Sequence, residues 1–331
     1  MAFQAKILAD SVGSHGIRLT TFELTFPRCI LAEFNTHRMK SSNAASSRAI
    51  PVKTLIKKIK ADPFIPVFAF NQKGMQSAEP LTGWQKWIAT KLWLFGMHFA
   101  ILLAKIFLAL NIHKQFVNRL LEPWMWVTVI ASATEWNNLF ALRVHPKAEP
   151  SFQKIAGMMW DMYSIHKPKK LLPGEWHRPL IDGYEERAIT EVAFKLFPDT
   201  TSDPDEMLAL GYPSVARKRG PGVYYEHAPI PENAEKRKAF ITEQLNQISV
   251  GRCARVSYLT HDGKRDFKED IKLHDFLCSS RPGHWSPFEH VAQCQKERIY
   301  RGGNFTGWKQ YRKFFADENI KNFGGGNSGT E

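Results

Sequence analysis

The sequence predicts a mixed α/β fold. Two segments near the start, Ala5–Val12 and Ile17–Phe26, have the residue types and alternation typical of strands. Helical spacing of apolar residues follows, first at Pro27–Asn35 and Ile50–Ile59. Apolar residues make up 44% of the 331 residues, which is enough to build a core and excludes a disordered chain.

The first elements lead directly into a polar loop. The strand Ile17–Phe26 largely alternates apolar and polar residues, with one slip at Thr20–Thr21, so we expect one face of it to be buried. Pro27 suits the first position of the helix that follows. That helix ends before Thr36–Arg48, a stretch of small and polar residues.

The segment Trp84–Ile112 is apolar nearly all round, and Gly96 predicts two helices with a kink between them. Such a segment is expected to be enclosed by the fold or by a partner subunit. Its most apolar run, Leu92–Ala104, lies between Lys91 and Lys105 and is shorter than a bilayer span. We therefore expect no membrane partner, with an interfacial membrane helix as the alternative.

The second half of the chain is less regular. A loop is expected at Leu171–Pro179, and the polar, Pro-rich residues 193–222 form a candidate insertion. A single domain is expected over residues 1–323, followed by a flexible Gly-rich tail at 324–331. Helical patterns are present at Ser151–Ser164, Glu232–Ser257 and Asp266–Ser279.

Charge and cysteine content narrow the functional classes. The net charge is +13 and the sequence pI about 9.5, which favours anionic substrates or partners. The charge is spread along the chain, without a basic tract, zinc finger or helix-turn-helix pattern, so no stable nucleic-acid partner is expected. The four cysteines form no CxxC pair, and no signal peptide is recognisable. These features predict a cytoplasmic protein without a cysteine metal site.

The polar stretch Thr36–Arg48 is the strongest functional signal. It reads Thr-His-Arg-Met-Lys-Ser-Ser-Asn-Ala-Ala-Ser-Ser-Arg. Hydroxyl groups, an amide and a guanidinium on one short segment suit a phosphate and a planar heterocycle, because Arg binds phosphate in a bidentate manner. An ordinary Ser/Asn-rich turn is the alternative.

This stretch resembles the signature Arg-His-Arg-x-x-Ser-x-Asn-Glu-x-Ser-x-Arg of the flavin-dependent thymidylate synthases. Two positions depart from the signature, because Thr36 replaces the first Arg and Ala44 replaces the Glu. The matching residues are His37, Arg38, Ser41, Asn43, Ser46 and Arg48.

Three further stretches resemble the same family. Ala254–Ser257 (Ala-Arg-Val-Ser) precedes His284–His290 (His-x-x-Pro-Phe-Glu-His), as in the family's flavin-holding segments. Asn138–Arg143 resembles a helix with an Asn and a Leu-Arg pair, and Arg119–Pro123 an Arg-x-x-x-Pro helix. Capped loop histidines and helix-surface arginines are the structural alternatives. The segments Ala254–Ser257 and His284–His290 follow the signature in this chain, whereas their counterparts precede it in the family. The order therefore resembles a circular permutation.

The resemblance implies a twisted, mainly antiparallel sheet flanked by helices, assembled as a homotetramer with sites between subunits. It implies that dUMP, methylene-tetrahydrofolate and NADPH give dTMP, tetrahydrofolate and NADP, with FAD as the cofactor. Arg143 would act beside the pyrimidine as the catalytic residue, and Arg48, Ser46 and Arg119 would bind the dUMP phosphate. The expected FAD contacts are His37, Arg38, Ser41, Asn43, Asn138, Ser257, His284 and Ser286.

Two rival functions are weighed against this one. A cysteine-dependent thymidylate synthase needs a nucleophilic Cys in a Pro-Cys-His setting, which this chain lacks. An inactive nucleotide- or nucleic-acid-binding homologue is favoured by Thr36 and Ala44. The permuted order further predicts that the strand ending near Phe26 and the strand after His290 are neighbours in one sheet.

Overall fold

The two strands predicted at the start of the chain form the middle of a five-stranded sheet. The computed structural model describes residues 3–73, 79–201, 203, 209–210, 228–260, 266–280 and 282–319. Within this sheet the strand order is β3-β4-β2-β1-β5, and every pairing is antiparallel except that of β1 with β5. The strands are β1 (Gln4–Gly13), β2 (Arg18–Pro27), β3 (Ser41–Ala44), β4 (Trp126–Ala133) and β5 (Lys169–Leu171).

Helices connect and cover the strands. The helices at the predicted positions begin and end within a few residues of the expected bounds. The helix predicted at Pro27 is a 3₁₀ turn (Arg28–Ile30) followed by a single α-helical turn. The helices are α1 (Leu31–Phe34), α2 (Val52–Ala61), α3 (Gly83–Ala109), α4 (Lys114–Val117), α5 (Asn137–Arg143), α6 (Pro150–Ile165), α7 (Gly183–Leu196), α8 (Glu232–Arg255) and α9 (Phe267–Ser279).

One face of the five-stranded sheet packs on α5 and α6. Phe22 and Leu24 of β2 meet Phe140 of α5 and Phe152 and Ile155 of α6 in a buried cluster. The fold class predicted from the sequence, α/β with a mainly antiparallel sheet flanked by helices, is therefore confirmed.

The opposite face of the sheet is also buried, contrary to the expectation for β2. Ile130 of β4 contacts Cys253 and Val256, and Thr21 and Thr25 of β2 are buried on the same face. The hydroxyl of Thr25 bonds to that of Thr128 at 3.1 Å. Burial of these hydroxyls costs little because each has a partner.

A second, three-stranded sheet corrects two predictions. It has the order β10-β9-β6, formed by β6 (Trp176–His177), β9 (Ala292–Cys294) and β10 (Trp308–Gln310). The prediction that the strand after His290 neighbours the strand ending near Phe26 is wrong, because β9 pairs with β6 and β10. The prediction of a loop over Leu171–Pro179 is wrong in part, because strand β6 of this sheet lies within that range.

The chain divides into two compact units, residues 1–180 with 250–331 and residues 181–249. In the second unit, α7 begins with a capping box between Asp182 and Glu185, and Arg237 donates to the carbonyl of Phe197 at 2.7 Å. It also holds the short strands β7 (Thr200–Thr201) and β8 (Ala228–Pro229). The single domain over 1–323 stays a prediction. Much of the candidate insertion 193–222 and the whole tail 324–331 lie outside the described residues.

Helix α3 is continuous, so the predicted division into two helices is wrong. A Cβ atom at Gly96 would lie 3.3 Å from the Trp124 ring, which explains a glycine there by close packing. The helix has 27 residues, and by length and composition it could cross a membrane. Only 22% of its most apolar window is buried, so this chain's own fold does not enclose it, and enclosure by a partner subunit stays a prediction.

Candidate functional site

Most of the predicted site residues line one large cavity of about 700 Å³. Its wall is built from β3 and the loop after it, the end of α8, part of α9, and the turn that follows α9. The predicted residues that line it are Asn43, Ser46, Arg48, Arg119, Ser257, His284 and Ser286.

Backbone and side-chain hydrogen bonds join the distant segments that form this cavity. The amide of Ser46 donates to the carbonyl of Ser257 at 3.0 Å. The Asn43 amide group donates to the carbonyl of Cys253 at 2.9 Å and accepts from the Ser257 hydroxyl at 3.3 Å. The signature loop and the Ala-Arg-Val-Ser segment therefore lie together although more than 200 residues separate them in sequence.

The large cavity is positively charged. Arg28, Arg48 and Arg119 line it, and none of the lining residues that the structure describes is a carboxylate. Glu122, just outside the lining, accepts from Arg119 at 3.3 Å and from Arg28 at 3.5 Å. Arg48 is exposed and has no ion-pair partner in the part of the chain that the structure describes. One carboxylate beside three guanidinium groups leaves an excess of positive charge, which favours an anionic ligand.

The cavity also has an apolar wall. Leu273, Phe276 and Leu277 of α9 line it, together with Leu31 and the ring of Pro287. An apolar surface facing a few fixed polar groups is the usual construction of a site for a small organic ligand.

All but one of the other predicted residues line a second, smaller cavity of about 210 Å³. Arg143 is held there, because it forms an ion pair with Glu33 and its Nε donates to His37 Nε2 at 2.9 Å. Burial and the nearby Arg143 and Lys40 lower the pKa of His37, so its imidazole is neutral and can accept that bond. The predicted residues that line it are His37, Arg38, Asn138 and Arg143.

Ser41 lines neither of these two cavities. It is buried in β3, where its hydroxyl accepts from Gln310 Nε2 at 2.8 Å and from Asn304 Nδ2 at 3.1 Å. These bonds fix β3 between the two cavities, because Lys40 on one side lines the smaller cavity and Asn43 lines the larger one.

The structure adds residues that the sequence did not single out. Arg28 lines the large cavity from the end of β2, and its position directly after a strand was the available signal. Lys40 lies inside the signature, and burial lowers the pKa of its ammonium group to about 8. Its Nζ lies 3.9 Å from the centre of the Phe34 ring, and this cation–π contact stabilises the ammonium group.

His290, the last residue of the His-x-x-Pro-Phe-Glu-His segment, lies in the interior. Its Nδ1 is 2.8 Å from the Ser132 hydroxyl, which is 2.6 Å from that of Thr21. Thr21 in turn lies 2.8 Å from Nε2 of His177, whose Nδ1 bonds to Ser11. This buried polar chain, from Ser11 to His290, anchors the segment that carries His284 and Ser286 to the sheet.

None of the four cysteine thiols has the environment of a nucleophile. Burial raises the pKa of Cys253, Cys278 and Cys294, that of Cys278 to about 11. Desolvation and the nearby Glu149 raise the pKa of Cys29. All four thiols are therefore protonated at neutral pH, whereas a nucleophilic cysteine needs a lowered pKa.

Comparison with known proteins gives structural matches only. No protein-family model and no curated protein matches the chain. The UMP/dUMP methylase PolB from Streptomyces cacaoi, bound with 5-Br UMP, matches 49% of this chain and 89% of its own, with a TM-score of 0.41 and 11% identity. Thymidylate synthase X from Helicobacter pylori, with FAD and dUMP, matches 44% of this chain and 66% of its own, with a TM-score of 0.31 and 19% identity. Both structures match less than half of this chain.

Proposed function

We propose that this protein is a flavin-dependent thymidylate synthase that methylates dUMP to dTMP, using methylene-tetrahydrofolate and NADPH. The observation that carries the proposal is the large cavity. It gathers four separate motif segments around one space, lines that space with three arginines, and has no carboxylate among the lining residues that the structure describes.

The dUMP phosphate is assigned to the Arg48 end of the large cavity. Arg48 has no ion-pair partner among the described residues, so it can bind a phosphate without first breaking another ion pair. Ser46 offers a hydroxyl donor beside it. Arg119 shares Glu122 with Arg28, so it contributes charge and a weaker contact.

FAD is the proposed cofactor, and the donor set fits it. The diphosphate and ribityl hydroxyls need cationic and hydrogen-bonding partners, and the isoalloxazine ring needs apolar surface. Ser257, His284, Ser286 and Asn43 would supply the polar contacts on one wall, with α9 as the apolar wall. His37, Arg38 and Asn138 would hold the part of FAD that reaches the smaller cavity. When bound, FAD would supply the hydride chemistry that side chains lack.

Arg143 is assigned to the pyrimidine ring. A guanidinium beside the ring stabilises the negative charge that develops during attack at carbon 5. In one chain Arg143 lines a different cavity from Arg48. The proposal therefore includes the assembly that the family resemblance implies, a homotetramer in which the smaller cavity of one subunit completes the large cavity of another. A cytoplasmic setting remains part of the proposal.

An inactive nucleotide-binding homologue is the second candidate. Ala44 leaves the large cavity without the carboxylate of the family signature, and Glu33 and His37 hold Arg143. Ala44 removes an acidic group, and the contacts of Arg143 restrain its guanidinium. Neither feature changes the cationic lining of the large cavity. This candidate predicts nucleotide binding without turnover.

Absorbance spectroscopy of native protein and dUMP titration test the binding half of the proposal. The expected result is a bound flavin spectrum at one equivalent per chain, perturbed on addition of dUMP. Protein that is colourless, takes up no added FAD and shows no dUMP binding would overturn it. Flavin and dUMP binding without dTMP formation would favour the inactive homologue.

A further inference from the structure

Helix α3 presents a continuous apolar row to solvent. Phe95 is 69% exposed and Leu92 is 64% exposed, and the neighbours along the helix are exposed as well. The intervals along the row are alternately three and four residues, which places its members on one face of the helix. The row consists of Ile88, Leu92, Phe95, Phe99, Leu102 and Ile106.

The opposite face of α3 is covered by the protein along the middle of the helix. Met97, Ile101 and Ala104 are buried in a cluster with α2 and the segment Asn118–Trp124. Trp93 Nε1 donates to the carbonyl of Phe64 at 2.8 Å, which fixes the helix to the body of the unit. A helix attached along one side cannot be surrounded by lipid, so α3 would lie along a membrane surface and not across it.

The charged side chains of α3 itself have one sign. Between Glu79 and Glu122 the sequence contains no Asp or Glu. Lys91, His98 and Lys105 are exposed and follow at intervals of seven residues, so they line one flank of the apolar row.

We propose that α3 is an in-plane anchor that binds an anionic lipid surface, replacing the expectation of no membrane partner. The apolar row would insert below the headgroups, and the lysine flank would meet the lipid phosphates. Trp84 and Trp87, both exposed at the start of the helix, have the amphipathic rings that prefer the headgroup level.

A second copy of this chain is a poorer occupant of the same face. Antiparallel pairing of two α3 helices would bring Lys91 of one copy near Lys105 of the other, and the helix has no acidic residue to compensate. Parallel pairing would place each lysine near its own counterpart. An anionic lipid surface offers an apolar interior to the exposed row and negative phosphates to the lysines.

Vesicle co-sedimentation of the full chain tests this proposal. We expect binding to phosphatidylcholine vesicles that contain phosphatidylserine, and weak binding to phosphatidylcholine alone. Phe95→Ser with Phe99→Ser should lower the partition coefficient at least about tenfold. Lys91→Gln with Lys105→Gln should lower it about tenfold on anionic vesicles and leave it unchanged on neutral ones.

Ile165→Ser with Ile299→Ser is the matched control, because these two side chains are exposed outside α3. It should bind vesicles as the parent does, and circular dichroism should show that all variants are folded. Equal binding by the parent and the Phe95/Phe99 variant would overturn the proposal. So would light scattering that shows a dimer lost in that variant, together with no vesicle binding by the parent, because the face would then join two copies.

Discussion

Replacing Arg48 with Ala is expected to weaken dUMP binding about 10- to 150-fold. A hydrogen bond to a charged group contributes about 1.5–3 kcal/mol, and each 1.4 kcal/mol changes a dissociation constant about tenfold. The full effect is expected at Arg48 because it has no competing anion among the described residues. The matched variant Arg119→Ala should weaken binding less, about fivefold or below, since Arg119 is exposed and already shares Glu122.

Isothermal titration with dUMP and with deoxyuridine separates the phosphate contact from the rest of the site. The Arg48→Ala variant should lose affinity for dUMP and keep that for deoxyuridine, which has no phosphate. The parent's dUMP affinity should fall as salt rises, and the variant's should fall less steeply. If a folded Arg48→Ala protein binds dUMP as tightly as the parent does, the dUMP phosphate does not bind at this end of the cavity.

Three further predictions concern the remaining groups. Burial lowers the pKa of His177 and His290 to about 3, so both protonate in the unfolded chain as pH falls below about 6.5 and stay neutral in the folded one. The free energy of unfolding should therefore fall by about 4 kcal/mol between pH 7 and pH 5, measured by urea titration, and a flat profile would contradict the buried, neutral pair. Arg143→Ala should lower dTMP turnover more than dUMP affinity, by about 100-fold in single-turnover flavin oxidation, and turnover at the parent rate would show that Arg143 is not the catalytic group. Single Cys→Ser variants should keep turnover within about tenfold, and a folded variant that loses activity by orders of magnitude would point to thiol catalysis. The cysteines to be replaced one at a time are Cys29, Cys253, Cys278 and Cys294.

Local patterns predicted most of the regular elements. The alternation in β2 and the apolar spacing in α6 are properties of contiguous residues, so they are readable without the tertiary structure. Asp266 was read as the start of the helix that ends at Ser279, and its side chain accepts from the Glu269 amide as a cap. These features depend only on neighbours within a few positions.

The pairing of β9 and the state of α3 could not be read in the same way. β9 has three residues, and its partner β6 has two, so neither has a pattern that fixes a sheet. The continuity of α3 through Gly96 depends on Trp124, which approaches from another segment. Its exposure is a property of what the rest of the fold leaves uncovered.

The sequence predicted which segments contribute to the candidate site, but it did not predict how those segments are arranged in space. The motifs located most of the residues that line the large cavity, because their spacing within each segment is local. The separation of Arg143 from Arg48 into two cavities follows from the sheet, which places α5 and the end of α8 against opposite faces. The interior position of Ser41 depends on Asn304 and Gln310, more than 250 residues away.

Formation of dTMP by native protein tests the central claim most directly. The protein, with FAD, would be incubated without oxygen with dUMP, methylene-tetrahydrofolate and NADPH, and the nucleotides separated by chromatography. We predict dTMP in multiple turnovers, lost when any one component is omitted and when Arg143 is replaced by Ala. Protein that binds both FAD and dUMP yet forms no dTMP under these conditions would contradict the claim.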